Sequence, residues 1–185
     1  MYTPWGKPDS QKTIAKGIVS YTTSSHGGIY VAPSLNVQIH EAWRSKSGWY
    51  EEDCEWAIVA VTFQQYFKPE QIDSAINTLK NWFPDEYEIV AGEKLTAEES
   101  SRRAESEFLE ANKDKYIVYA AYGDWHDKVP AGFVGVCAVR GGRLFNGNLA
   151  SDDKKCFLVP ADEYKSKSPY GFVADVNRHQ EIDAI

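Results

Sequence analysis

Several things this chain lacks narrow its class before any motif is considered. Cysteine is scarce: Cys54, Cys137 and Cys156 are odd in number, widely spaced and form no CxxC pair. A disulfide framework is therefore not expected, and a reducing compartment is the default. No apolar run approaches the roughly 20 residues that a membrane helix needs. The first residues, Met1-Tyr2-Thr3-Pro4-Trp5-Gly6, lack the basic and apolar regions of a signal peptide. A soluble protein in the cytoplasm of a host cell is expected, with no membrane partner. A basic excess is missing too, since the formal net charge is -7. Direct nucleic-acid binding is not expected of such a chain. No GxGxxG, GK[ST] or HExxH pattern occurs, and Gly141-Gly142 stands outside any phosphate-loop context. No internal repeat divides the chain.

Aromatic residues are plentiful, with Trp 6, Tyr 11 and Phe 8 among 185 residues. They supply large areas for burial and fix packing geometry. A chain of this length suits one domain, able to bury about 70% of its unfolded surface. Residues 1–16 read as an irregular arm pinned by Trp5. Residues 17–22 and 28–32 have strand composition, and a turn-rich segment of hairpin length lies between them. Ser34 is placed to cap a short helix from Leu35 to Arg44.

A long helix is expected from about Tyr50 to Phe67, opened by acidic residues and closed before Pro69. Its apolar residues do not fall on one stripe, so it is expected to be buried on most sides. A second helix follows Pro69, with Ile72, Ala75, Ile76, Leu79 and Phe83 on its inward face. A short piece closes at Gly92, and Thr96 to Glu99 resembles a capping box before a polar, exposed helix. The last third reads as strands at 116–122, 132–139, 155–159 and 171–175. Strands at both ends with helices between predict one α+β domain over residues 1–185. A mostly antiparallel sheet from the N- and C-terminal strands packs on the buried central helix and the additional helices.

Three groups of residues bear on function. Glu51, Glu52, Asp53 and Glu55 stand among Trp49, Tyr50 and Trp56, directly before the most apolar run. Gathered carboxylates ligate hard cations or divide acid and base roles; equally, acids in a first helical turn complement its dipole. Ser25-His26-Gly27-Gly28 sets an imidazole beside two glycines, which permit unusual backbone angles and close ligand approach. The same letters describe a hairpin turn. In the third group, Asp124, His126 and Asp127, a histidine stands between carboxylates as in a triad or metal site, or simply within a polar loop. Cys54 is surrounded by acids that raise a thiol's pKa by repulsion, so it is not expected to be a nucleophile.

The segments Thr3-Pro4-Trp5-Gly6, Ser25-His26-Gly27-Gly28 and Gly48-Trp49-Tyr50-Glu51-Glu52-Asp53-Cys54-Glu55-Trp56 carry a resemblance. So do Gly17-Ile18-Val19, Val129-Pro130 through Gly135-Val136, Phe157-Leu158-Val159-Pro160 and Phe172-Val173. Together they resemble an uncharacterised domain family of phage, plasmid and other mobile-element proteins. The resemblance brings no known reaction; it implies an accessory protein acting on host defence or replication. One expectation is therefore a protein that binds a host or defence component or a small ligand through Trp5, Trp49 and Tyr50, with Ser25, Gly27, Gly28, Asp124 and His126 nearby. A second is a hydrolytic enzyme with His26 as general base and Glu51, Glu52 or Asp53 as orienting carboxylate or divalent-metal ligand. A third is an acidic mimic of nucleic acid. The second requires His26 to lie against the acidic turn.

Overall fold

The computed structural model describes residues 2–185, leaving Met1 of the N-terminal arm outside the described residues. The chain forms two compact units, Met1–Ala104 and Glu105–Ile185.

The first unit is built on a four-stranded antiparallel sheet in chain order: β1 (Ser10–Ala15), β2 (Ile18–Thr22), β3 (Gly27–Val31) and β4 (Trp49–Glu51). The expected hairpin is therefore present as β2 and β3. The irregular arm expected over residues 1–16 is irregular only through residue 9: residues 10–15 pair with β2 from Ser10↔Thr22 to Ala15↔Ile18. Polar Ser10, Gln11, Lys12 and Thr13 hide this strand in the sequence, and as an edge strand it needs no apolar face.

Ile18, Ile29, Val31 and Tyr50 project from one face of the sheet into the core. Helix α2 (Trp56–Thr62) meets them there, with Ala57, Ile58, Val59 and Ala60 all buried. Its burial is as expected, but its length is not. The chain is extended through Glu51, turns over residues 52–55, and leaves helical geometry at Phe63, where φ is -117° and ψ is 50°. The acidic group thus sits on a strand end and a turn instead of a helix.

The Leu35–Arg44 helix is also shorter than expected, reduced to α1 (Pro33–Asn36) and a series of turns. Tyr50 ties those turns to β4. Its hydroxyl donates to Asn36 Oδ1 at 2.6 Å and accepts the Ser45 N–H at 3.1 Å, while Asn36 Nδ2 donates to Ser45 O at 2.8 Å. Burial pushes the Tyr50 pKa up, which keeps the phenol a donor.

Helix α3 (Pro69–Trp82) buries Ala75 and Leu79 on its predicted inward side. Helix α4 (Pro84–Ala91) closes at Gly92, whose φ of 75° suits glycine. Glu88 is buried near its end and joins three donors: Lys94 Nζ at 2.6 Å, Arg103 Nε at 2.9 Å and the Leu95 N–H at 3.1 Å. The Lys94 bond, with the Leu95 N–H and Arg103, outweighs burial and holds the Glu88 carboxyl down at about 2. The Thr96–Glu99 box forms on the turn before α5 (Ser101–Ala111), with Glu99 Oε2 accepting the Thr96 N–H at 3.1 Å.

The second unit carries a five-stranded antiparallel sheet. It contains β5 (Tyr116–Tyr122), β6 (Phe133–Arg140), β7 (Lys154–Pro160), β8 (Val173–Ala174) and β9 (Gln180–Ile182), in the order β8-β5-β6-β7-β9. A short helix, α6 (Ala161–Lys165), follows β7. Tyr116, Val136, Ala138, Phe157, Val159 and Phe172 form its core. The α+β class is as expected; the strands of the two chain ends make two separate sheets instead of one.

Cys137 and Cys156 stand opposite each other on β6 and β7 and are joined by a disulfide, with Cα atoms 4.2 Å apart. This departs from the expectation of free thiols, because strand register brings together residues that are 19 apart in sequence. Among the described residues no helix is long and apolar enough to cross a membrane.

Two measurements test these ties. The Glu88 carboxylate, with its pKa lowered on folding, stabilises the first unit above its unfolded pKa of ~4.3 and loses that contribution as pH falls toward its native value. Glu88→Gln is therefore expected to lower the thermal midpoint at pH 7, and the gap from the wild type should close progressively between about pH 4.3 and pH 2. Tyr50→Phe leaves Asn36 Oδ1 and the Ser45 N–H without their partner, and should cost about 1–3 kcal/mol in urea unfolding.

Candidate functional site

The sheet of the first unit has a second face, turned away from the core. Strand alternation and the pairs Tyr21↔Gly28, Gly28↔Glu51 and Tyr30↔Trp49 put Tyr21, Gly28, Tyr30, Trp49 and Glu51 on it. Three of these side chains are aromatic. Trp49 lies at the centre of the group, 5.0 Å from Tyr30, 5.3 Å from Tyr21 and 5.8 Å from Trp5 between ring centroids.

Trp5 reaches this face because Gly28 has no side chain. A Cβ there would collide with the outer edge of the Trp5 indole and lie 2.5 Å from Tyr50 O. Gly27 is needed for the same kind of reason, since a Cβ would meet the Glu52 carboxylate and the Tyr21 carbonyl. Neither glycine has a positive φ. Contrary to the expectation of unusual backbone angles, both are ordinary strand residues that allow close approach.

His26 opens β3 and is set by the turn before it. Thr23, itself buried, donates its hydroxyl to His26 O at 2.6 Å and accepts the His26 N–H at 3.1 Å. Ser25 lies in the same turn, its hydroxyl 3.5 Å from Thr23 Oγ1. This clamp directs the imidazole over the end of β4, where Nδ1 stands 3.1 Å from Glu51 Oε1 and 3.8 Å from Glu52 Oε1. The contact required by the catalytic expectation is therefore present.

The two oxygens of Glu51 differ in their surroundings. Oε2 accepts the Asp53 N–H at 2.8 Å, and the Cys54 N–H points to it from 3.4 Å. Oε1 is buried and has no aligned hydrogen-bond donor, although His26 Nδ1 is close. Glu55 supports the strand end by accepting the Glu51 N–H on Oε2 at 2.9 Å. Donor atoms of His26, Glu51 and Asp53 all lie within 4.8 Å of one another, a grouping able to hold a metal ion. The acids are not in a helix's first turn, so the dipole does not account for them. Burial, and then Glu51, Glu55 and Asp53, push the Cys54 thiol pKa up, against a nucleophilic role.

The remaining expected residues lie elsewhere. Tyr50 is fully buried on the core side of β4 and is absent from the outer face. Asp124 and His126 belong to the loop between β5 and β6 in the second unit. There His126 Nδ1 lies 3.1 Å from Asp127 Oδ1 and 3.3 Å from the Lys128 N–H, a local loop contact without a nucleophile. Tyr21 and Tyr30 join the outer face without having been expected there, although their alternation along the two strands signals it.

No curated protein and no solved structure matches the chain. The model of a family described as a domain of unknown function, DUF7007, matches residues 1–113, a span that contains the whole outer face and its carboxylates. The chain thus belongs to the DUF7007 family.

Proposed function

We propose that the protein is a ligand-binding accessory protein whose site is the outer face of β2, β3 and β4. In this reading, His26, Glu51 and Asp53 hold a divalent cation at one end of an aromatic wall formed by Trp5 and Trp49. The observation that carries it is the approach of His26 Nδ1 to within 3.1 Å of Glu51 Oε1, a buried oxygen with no aligned hydrogen bond. Two ligands bound to one ion at ~2.1 Å stand ~3.0 to 3.4 Å apart, depending on the angle between them. An imidazole with carboxylates suits zinc or manganese. The open positions of the ion and the adjacent rings would then receive a small ligand or a side chain of a host or defence protein.

Hydrolysis is the second reading, favoured by the same contact. In that reading His26 stays off the cation: an ion held by Glu51 and Asp53 alone would lower the pKa of bound water, and His26, with Glu52 beside it, would act as general base. Assignment to a phage or plasmid, acting in a host cytoplasm, rests on the resemblance of the Trp5, His26 and Trp49–Trp56 segments. The Cys137–Cys156 disulfide pulls the other way on compartment, since such bonds persist in oxidising surroundings.

Titration calorimetry with Mn²⁺ and Zn²⁺ on the full chain tests the cation. One saturable site is expected, weakened at least ~10-fold by His26→Ala or Glu51→Gln with the fold intact. Saturable binding that both variants leave unchanged would sink the proposal. Gly28→Ala should expel Trp5 from its seat, seen as a red shift of tryptophan emission, and should also weaken cation binding, because the new Cβ presses on the Tyr50 carbonyl next to Glu51.

A further inference from the structure

The second unit holds a buried histidine, His179, at a position of mechanical consequence. It ends the segment 175–179, which joins β8 directly to β9, the two edge strands of the five-stranded sheet. A flat sheet would keep these edges about 19 Å apart, four strand spacings. The connection is instead a tight turn: the His179 N–H donates to Asp175 O at 2.9 Å, and the Arg178 N–H to the same oxygen at 3.1 Å. The sheet therefore curls until its edges come near each other, and this turn is the clasp between them.

The imidazole ties the clasp from inside, with its side chain only 2% exposed. Nδ1 accepts the Asp175 N–H at 3.0 Å, so it carries no proton. The neutral ring then holds its proton on Nε2, which faces Glu163 Oε1 of α6 at 3.2 Å. One acceptor and one donor are both in use, and the backbone sets the tautomer. The ring packs on Phe172, with centroids 5.7 Å apart.

The surrounding charges are already engaged. Glu163 Oε2 lies 3.2 Å from Arg178 NH2, and Asp175 Oδ1 accepts the Asn177 N–H at 2.9 Å. On the α6 side Tyr164 packs against Phe172, and Lys167 Nζ lies 4.7 Å from the Tyr164 ring. On β9, Glu181 is paired with Lys155 of β7 at 2.6 Å. Among the described residues, Glu163 is the carboxylate in contact with the imidazole.

A second proton on the ring has opposite effects at its two nitrogens. At Nε2 the donor stays against Glu163, and the bond becomes fully charge-assisted. At Nδ1 the acceptor becomes a donor and confronts another donor, the Asp175 N–H. Protonation drawn by Glu163 is thus compatible only with release of Asp175. Imidazoles change charge between about pH 5 and 8, a range in which ordinary carboxylates stay ionised.

We infer that His179 is a proton-operated clasp of the second unit. Neutral, it ties the 175–179 turn and holds the two edges of the sheet together. Protonated, it keeps Glu163, lets go of Asp175 and loosens β9. Because β9 covers β7 at Cys156, Phe157 and Leu158, acid uncovers that strand edge together with one end of the disulfide.

NMR on the full chain at about pH 7.5 and about pH 5, on either side of the imidazole range, reads both halves of the event. At the higher pH the ring-nitrogen shifts should report the Nε2–H tautomer, with the Asp175 amide protected from exchange. At the lower pH the ring should carry both protons, and the Asp175 protection factor should fall about 10-fold, the factor one lost hydrogen bond is worth. The β9 amides should follow, while those between β5 and β6 hold. His179→Asn sets an oxygen near the place of Nδ1 and cannot titrate, so the pH effect on Asp175 should vanish. As the residue is buried, that variant is read only where its protection pattern at the higher pH matches the wild type. Glu163→Gln removes the carboxylate that attracts the proton and should move the release to lower pH. A ring that takes up its proton with Asp175 still protected, a ring still neutral at the lower pH, or an equal loss of protection in His179→Asn overturns the inference.

Discussion

The register of one three-residue strand decides what the first unit presents to its surroundings. β4 pairs Ile29 with Tyr50 and Gly28 with Glu51, so its central residue enters the core and its two neighbours face outward. A slip of one position would bury the Glu51 carboxylate among Ile18, Val31 and Ile58 and expose the Tyr50 ring. A short strand has few ladder bonds to prevent this. The register is held from both sides instead: by the Tyr50 hydroxyl on Asn36 and Ser45, and by the Glu55 carboxylate on the Glu51 N–H. The bare Cα of Gly28 adds a third restraint, because only that residue leaves room for Trp5 opposite Glu51.

What the letters reveal and what they conceal follow from the same physics. Helix α3 was legible because it buries one face, so period 3.6 is written into Ala75 and Leu79. The strands at 116–122 and 154–160 were legible as apolar runs. β1 was not, being a polar edge, and β4 was not, because a three-residue strand is shorter than any period that reveals one. The acidic residues after β4 resemble a helix start in composition, and a turn uses the same residue types. The approach of His26 to the acids is visible in the letters only as a condition for catalysis. Its fulfilment depends on the chain returning 25 residues later in sequence, from His26 to Glu51, to lie beside β3. The disulfide is of the same kind: a contact made by register alone.

The aromatic excess acquires a more definite meaning in the structure. Trp43 and Tyr50 face the core side and Trp5, Tyr21, Tyr30 and Trp49 the outer side, so both faces of one small sheet are walled by rings. Rings add area without adding charge, which lets the few carboxylates on each face act in surroundings less polar than water. That is why Glu51 Oε1, buried beside His26 without an aligned donor, is informative: the field of an ion is less screened beside such walls.

Glu55 ties the strand end to the helix behind it. One of its oxygens holds the backbone of Glu51, while the residue itself stands at the N-terminal boundary of α2. The place of the Glu51 carboxylate is therefore tied to the start of the helix that fills the core, and a shift of that helix would carry with it the carboxylate that faces His26.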